Sequence, residues 1–174
     1  MKIITTPMCE DVLKIAGLTD YKVVKPTDIK DADFAILLSE TKSEIPKISI
    51  KLNTYKQLYE SIKLIEKKFN TQSNKKSLEK IENLIHENNQ KRSIRRKINV
   101  KVYSKFLNDT IDDMGYNICD ENYDYIIIPD YMNIEINDEK QVILVPSHKN
   151  VSKDVIQRIT DRYELLEKKL CMKQ

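Results

Sequence analysis

Cys9 is the strongest candidate for a catalytic group in this sequence. It comes about three residues into a helix that is predicted to follow the apolar run Ile3-Ile4-Thr5. Free N–H groups and the helix dipole at such a position favour a thiolate, so Cys9 could act as a nucleophile or as a transient carrier. The alternative is a structural role, because free cysteine is among the residue types most often buried.

Three ionisable side chains extend the search for acid and base groups. His148 follows a predicted strand and could serve as an acid, a base or a ligand, although an exposed loop histidine is the simpler interpretation. Glu40 and Asp130 end matching predicted strands, where they could form a carboxylate pair across a cleft. Two histidines and three scattered cysteines lack the spacing of a zinc site, so we predict no bound metal and assign no cofactor.

The ends of the predicted strands supply the candidates for binding. Ligands of open α/β sheets bind beyond the carboxyl ends of the strands, and a helix start at that place can hold an anion. The chain has only two glycines, Gly17 and Gly115, and both are placed at predicted helix ends, so neither the dinucleotide-binding loop G-x-G-x-x-G nor the phosphate loop G-x-x-x-x-G-K-[ST] can form. We therefore expect a protein partner or a small anionic ligand. It would contact the polar residues at the strand ends: Thr5, Thr6, Ser39, Glu40, Asn53, Thr54, Ser104, Asp130 and Ser147.

The elements that would position these residues occur twice in the chain. Gly17 and Gly115 each come eleven residues after a hydroxyl residue that follows a β-like run, Thr6 in the first case and Ser104 in the second. In both copies the hydroxyl residue is predicted to cap a helix and the glycine to end it. The repeated order indicates a duplication, with a cleft between two related lobes as the expected place of function.

The apolar runs decide the predicted fold class. Residues 34–38 and 125–128 are continuously apolar, which is typical of strands covered on both faces, as in a parallel sheet. We predict an α/β protein of two Rossmann-like βαβββα-type units with mostly parallel sheets, covering residues 1–69 and 98–174. A helical linker over residues 70–97 joins them, with Ser77 as its predicted cap and its end at residues 88–90.

Positive charge is concentrated in this linker, although the whole chain has a net charge of only +3. Residues 75–97 include eight basic and three acidic side chains, and the basic run 91–97 could bind nucleic acid. That run has no aromatic side chain for base stacking, so a solvated linker is the more common explanation. The cysteines lack a disulfide spacing and the apolar runs are too short to span a membrane. A cytoplasmic protein without membrane contact is therefore expected.

Three segments carry a resemblance to a known group of proteins. They are the opening M-K-I-I-T-T-P-M-C-E-D-V-L, residues 31–40 (D-A-D-F-A-I-L-L-S-E) and residues 48–54 (I-S-I-K-L-N-T). Over roughly the first sixty residues the chain resembles the methanogenesis marker proteins of methanogenic archaea. The resemblance implies an accessory role, such as maturation of methyl-coenzyme M reductase or handling of a coenzyme.

Overall fold

A computed structural model describes residues 1–135, 141–147 and 151–171 of the chain. His148, one of the predicted site residues, lies outside this part. The described elements follow in chain order: β1 (Ile3–Thr5), α1 (Pro7–Ile15), β2 (Lys22–Val23), a 3-10 turn (Pro26–Asp28), β3 (Phe34–Leu38), β4 (Lys47–Ile50), α2 (Tyr55–Phe69), α3 (Lys75–Arg95), β5 (Asn99–Val102), α4 (Lys105–Met114), β6 (Asn117–Ile118), β7 (Tyr125–Pro129), β8 (Gln141–Val145) and α5 (Val155–Cys171).

The eight strands form two sheets of the same topology. The first has the order β2-β1-β3-β4 and the second the order β6-β5-β7-β8, and every neighbouring pair is parallel. Corresponding residues occupy corresponding places, since Thr5 lies opposite Ile36 in the first sheet and Val102 opposite Ile127 in the second. The prediction of an α/β protein with two Rossmann-like units is therefore confirmed.

The chain divides into two compact units, one around each sheet. The first contains residues 1–83 together with 153–156, and the second contains the described residues of 84–152 and those from 157 onward. Helices α3 and α5 thus contribute residues to both units.

Helix α3 is longer than the sequence pattern predicts. It runs from Lys75 to Arg95, through the polar residues 88–90 that were expected to end it. The side chain of Asn74 caps its start, because the Asn74 Oδ1 atom accepts a hydrogen bond from the Ser77 N–H at 2.9 Å. The predicted capping role of Ser77 is therefore wrong; Ser77 instead donates its backbone N–H within the first turn.

The two glycines end corresponding helices. Gly17 follows α1 with φ +76°, and Gly115 follows α4 with φ +90°, a region that side chains other than glycine rarely adopt. Both also pack tightly: a Cβ atom on Gly17 would lie 2.3 Å from the carbonyl oxygen of Gln72, and one on Gly115 would lie 2.9 Å from the Cβ atom of Arg92. The predicted role of both glycines as helix stops is confirmed, and close packing adds a second requirement for them.

Candidate functional site

The first sheet presents its predicted site residues at the carboxyl ends of β1, β3 and β4. Thr5 is fully buried, and its hydroxyl donates to the carbonyl oxygen of Ile36 at 2.8 Å, which ties β1 to β3. Ser39 is half-buried and donates its hydroxyl to the carboxylate of the exposed Glu40 at 2.9 Å. The structure thus brings Ser39 and Glu40 together, whereas the Thr5 hydroxyl is engaged inside the sheet.

The start of α2 joins two further predicted residues. Thr54 is 3 % exposed and its hydroxyl oxygen accepts a hydrogen bond from the Gln57 N–H at 3.1 Å. The Gln57 side chain in turn accepts from the Asn53 N–H at 3.1 Å. This arrangement is close to a capping box, and Thr54 is the N-cap of α2.

Cys9 lies in the core of the first unit. Its side chain has no exposed surface, and it continues the buried stripe that Val12, Leu13 and Ala16 form on α1. The Thr6 hydroxyl is directed at the Cys9 Sγ atom, 3.8 Å away, and makes no capping bond to a helix N–H. The expected side-chain cap at Thr6 is therefore wrong. The thiol of Cys9 thus presents no surface to a substrate in this structure.

The second sheet shows a different pattern at the matching edge. Ser104 caps α4 as expected, since its hydroxyl oxygen accepts from the Leu107 N–H at 3.3 Å. Asp130 and Ser147, which are separated in sequence, meet across the ends of β7 and β8, where the Ser147 hydroxyl donates to the Asp130 carboxylate at 2.7 Å. Asp130 is exposed, whereas Ser147 is 7 % exposed. These three polar residues therefore lie at strand ends, where the sequence placed them.

Two buried arginines on α5 are part of the second unit, and sequence reasoning missed them. Arg158 is 5 % exposed and Arg162 is 9 % exposed, one helical turn apart. The Arg162 guanidinium lies over the ring of Phe106, 5.0 Å from its centroid, and Phe106 belongs to the first turn of α4. A sequence signal existed, because positions 158 and 162 interrupt the apolar stripe of α5 with charge.

The electrostatics of this pair are unusual for an arginine. Burial first, and then the neighbouring charge of Arg158, lower the pKa of Arg162 to about 10. The group stays protonated at neutral pH, so a positive charge lies beside the first turn of α4. Arg158, one helical turn away on α5, donates to the carbonyl oxygen of Ser152 at 3.4 Å. Arg162 therefore brings a guanidinium group to the first turn of the helix that starts at Ser104.

The basic run of α3 has a structural use. Arg92 donates to the carbonyl oxygens of Asp112 and Asp113 at the end of α4. Arg95 is 3 % exposed and donates to the carbonyl oxygen of Met114 at 3.1 Å. These carbonyls form the negative end of the α4 dipole, which cations stabilise. Two of the five cations in residues 91–97 are thus directed into the protein, which leaves fewer for nucleic acid than the sequence suggests.

Comparison with known proteins identifies the family. Residues 94–171 match the MJ0786 family C-terminal domain. The chain is also 30 % identical, over 94 % of its length and 90 % of the relative's, to the uncharacterized protein MJ0786 of Methanocaldococcus jannaschii. The chain belongs to the MJ0786 family. That relative comes from a methanogenic archaeon, whereas the comparisons show no assignment to a methanogenesis marker protein.

Solved structures resemble this MJ0786 family member in fold. The laminin-binding protein Lbp of Streptococcus pyogenes has a TM-score of 0.69 at 14 % identity, covering 97 % of this chain and 98 % of the other. The periplasmic zinc-binding protein TroA of Treponema pallidum has a TM-score of 0.59 at 8 % identity, covering 95 % and 97 %. At these identities the likeness concerns the fold alone.

The described residues contain neither a cluster of metal ligands nor a membrane-spanning helix. Within residues 1–135, 141–147 and 151–171, no group of three or more histidine, cysteine, aspartate or glutamate side chains has the arrangement of a metal site. In the same part of the chain, no helix has both the length and the apolar character needed to cross a bilayer.

Proposed function

We propose that this MJ0786 family member is a binding protein for a small oxyanion, a carboxylate or a phosphate, at the carboxyl-end edge of its second sheet. The observation that carries the proposal is the pair of buried arginines one helical turn apart on α5, Arg158 and Arg162, of which Arg162 lies over Phe106 in the first turn of α4. Guanidinium groups match the planar or tetrahedral oxygens of such ligands with several parallel hydrogen bonds.

Burying the positive charges of Arg158 and Arg162 close together costs free energy. Two positive charges that share a buried region repel each other and lose hydration, and the lowered pKa of Arg162 reflects both effects. A bound anion would offset the repulsion and accept hydrogen bonds from both side chains. The helix start at Ser104 adds backbone N–H groups of the same polarity. Ser147, at the end of a neighbouring strand, remains a predicted contact of the ligand, whereas the Asp130 carboxylate would repel an oxyanion.

Proteins with this fold support a binding role more than a catalytic one. The resembling structures are named for binding laminin or zinc. A metal is not the ligand that we propose, because cationic arginines repel a cation and the described residues offer no metal-ligand group. An enzyme that uses Cys9 is also disfavoured by the complete burial of that side chain.

Thermal unfolding in the presence of inorganic phosphate or acetate tests the proposal. A ligand that binds only the folded protein raises the midpoint of unfolding as its concentration increases. We expect phosphate or acetate to stabilise the wild type and the control Lys153→Gln, which removes an exposed charge at the start of the same helix region. We expect Arg158→Gln to lose the increase measured against its own ligand-free midpoint. The proposal would be contradicted if the midpoint of unfolding rose equally in Arg158→Gln and Lys153→Gln. It would also be contradicted if neither anion raised the midpoint of the wild type.

We also propose, as a finer role, that the protein is a cytoplasmic accessory protein of methanogenesis, assisting maturation of an enzyme or handling of a coenzyme. Its support is that the 30 % identical relative, itself an uncharacterized protein, comes from a methanogenic archaeon. Affinity purification from the native organism, followed by mass spectrometry of proteins and small molecules, tests it. Recovery of a methanogenesis enzyme or coenzyme is the expected result, and reproducible partners from unrelated processes alone would refute it.

A further inference from the structure

The first unit contains a cavity that lies apart from the strand ends discussed above. Its volume is about 340 Å³, near the lower end of the range of small-molecule sites. It borders the edge strand β2 and the segment that leads from β2 to β3, and Val23 and Val24 provide apolar surface inside it. We call it the lysine cavity because four lysines are among the residues that line it.

The charged residues that line the lysine cavity are mostly cationic. They are four lysines and two aspartates, namely Lys2, Lys22, Lys25, Lys30, Asp28 and Asp31. Among the residues that the structure describes, none of these lysines forms an ion pair. The side-chain carboxylate of Asp28 accepts a hydrogen bond from the hydroxyl of its neighbour Thr27 at 3.1 Å. The cavity therefore presents a surplus of two positive charges to whatever enters it.

Lys25 and Lys30 lie on the segment between β2 and β3, which backbone hydrogen bonds hold in place, whereas Lys22 is in β2 and Lys2 precedes β1. The Val24 N–H donates to the carbonyl oxygen of Thr5 at 2.8 Å, and the 3-10 turn is closed by a bond from the Asp28 N–H to Lys25 at 2.9 Å. Asp31 adopts a left-handed conformation with φ 55°. On the inner side, Val24 and Ile29 pack against the apolar face of the sheet. The ammonium groups are thus mounted on an ordered support, which reduces the entropic cost of binding a ligand.

The second unit provides an internal comparison. Its corresponding connection, residues 119–124, also contains a left-handed residue, Asn122 with φ 55°. This connection is shorter and has no lysine, and its charged residues are Asp120, Glu121 and Asp124. The cluster of lysines is therefore a property of the first unit and does not follow from the fold that the two units share.

We propose that the lysine cavity binds a small polyanion, with two or more negative charges close together, such as a pyrophosphate group or a multiply charged carboxylate. The lysines would each contact a different charged group of the ligand, since an ammonium acts as a point charge. Because these side chains are exposed, the affinity falls steeply as the salt concentration rises.

Titrations with inorganic pyrophosphate and with citrate, followed by amide NMR shifts, test the inference. One variant is Lys22→Gln with Lys25→Gln, and its matched control is Lys42→Gln with Lys56→Gln, which removes the same charge from exposed positions of the same unit. We expect shifts at residues 22–31 in the wild type. We expect the first variant to lose affinity by about tenfold, which corresponds to about 1.4 kcal/mol, and the control to retain it.

A third variant, Arg158→Gln, distinguishes binding at the lysine cavity from binding at the proposed oxyanion site. We expect its shifts at residues 22–31 to match those of the wild type. Three results would overturn the inference: no shift at residues 22–31 with either probe, equal losses in the two lysine variants, or shifts that disappear in Arg158→Gln. Shifts with one probe and not the other would support the cavity and assign the ligand class. Failure of the oxyanion proposal leaves this test unaffected, because this test is read from the amide shifts of residues 22–31, whereas the oxyanion test is read from the midpoint of thermal unfolding.

Discussion

Replacement of Arg95 by methionine tests how the end of α4 is stabilised. Arg95 is 3 % exposed, and its guanidinium donates to the Asn88 side-chain oxygen at 2.7 Å, to the Met114 carbonyl oxygen at 3.1 Å and to the Glu167 carboxylate at 3.2 Å. Methionine keeps most of the aliphatic stem and removes the donors. The substitution therefore isolates the polar contribution of this side chain from its packing.

The expected loss in the free energy of unfolding follows from the hydrogen bond that each acceptor of Arg95 loses. The oxygens of Asn88 and Met114 would be left buried without the guanidinium, at a cost of about 1–3 kcal/mol each. Glu167 is 34 % exposed and regains water, so the loss of its ion pair adds little, about 0–1 kcal/mol. Removal of a buried charge returns part of its desolvation cost. We expect a net loss of about 2–4 kcal/mol in the free energy of unfolding, a large share of the stability of a small protein.

Urea unfolding followed by circular dichroism measures this loss, with Arg96→Met as the control. Arg96 is exposed and adjacent in sequence, so its replacement should change the free energy of unfolding by no more than about 0.5 kcal/mol. A loss below about 1 kcal/mol for Arg95→Met, at an unchanged denaturant slope, would refute the reasoning that the buried network stabilises α4.

Three further predictions concern glycine packing, alkaline stability and thiol access. Gly17→Ala should destabilise the protein more than Gly115→Ala in urea unfolding. Its new Cβ atom would meet the backbone oxygen of Gln72 at 2.3 Å, whereas a Cβ atom at Gly115 would meet the Cβ and Cα atoms of Arg92 at 2.9 and 3.0 Å. A larger loss for Gly115→Ala would contradict this packing. Burial, followed by a hydrogen bond to Cys171, raises the pKa of Tyr116 above its ordinary value of 10.0. The unfolded state then loses this proton first, so stability should fall above about pH 10, and less so in Tyr116→Phe; equal falls would argue against the assignment. A thiol reagent should modify the partly exposed Cys119 and Cys171 in the native protein and Cys9 only on unfolding. Modification of Cys9 in the native protein at a similar rate would contradict its burial.

The repeated architecture was predictable because it rests on local patterns. Continuous apolar runs mark strands that are covered on both faces, and the spacing of a hydroxyl residue and a glycine marks the two ends of a short helix. Both signals recur in the second half of the chain, and the two sheets have the predicted parallel arrangement. Gly17 and Gly115 show how far such reasoning extends: their role in ending a helix was expected, but their contacts with Gln72 and Arg92 were not.

The candidate site was less predictable, because the use of a polar side chain depends on its neighbours in space. Thr6, Thr54 and Ser104 precede helices in the same way, yet only Thr54 and Ser104 accept a helix N–H, since the Thr6 hydroxyl points to the buried sulfur of Cys9. Arg158 illustrates the opposite error, because a charge within an apolar stripe was overlooked although its position alone predicted burial.

The sequence by itself determined the two parallel sheets, the order of their elements and the absence of glycine phosphate loops, since these depend on periodicity and on residue types that the chain has or lacks. Only the tertiary structure decided which cations of the basic run are internal and which polar residues meet. It turned Arg92 and Arg95 toward the end of α4, paired Asp130 with Ser147, and buried Cys9. The physical reason is that hydrogen bonds, charge interactions and burial join residues that lie far apart in the sequence, and a local pattern contains no information about those partners.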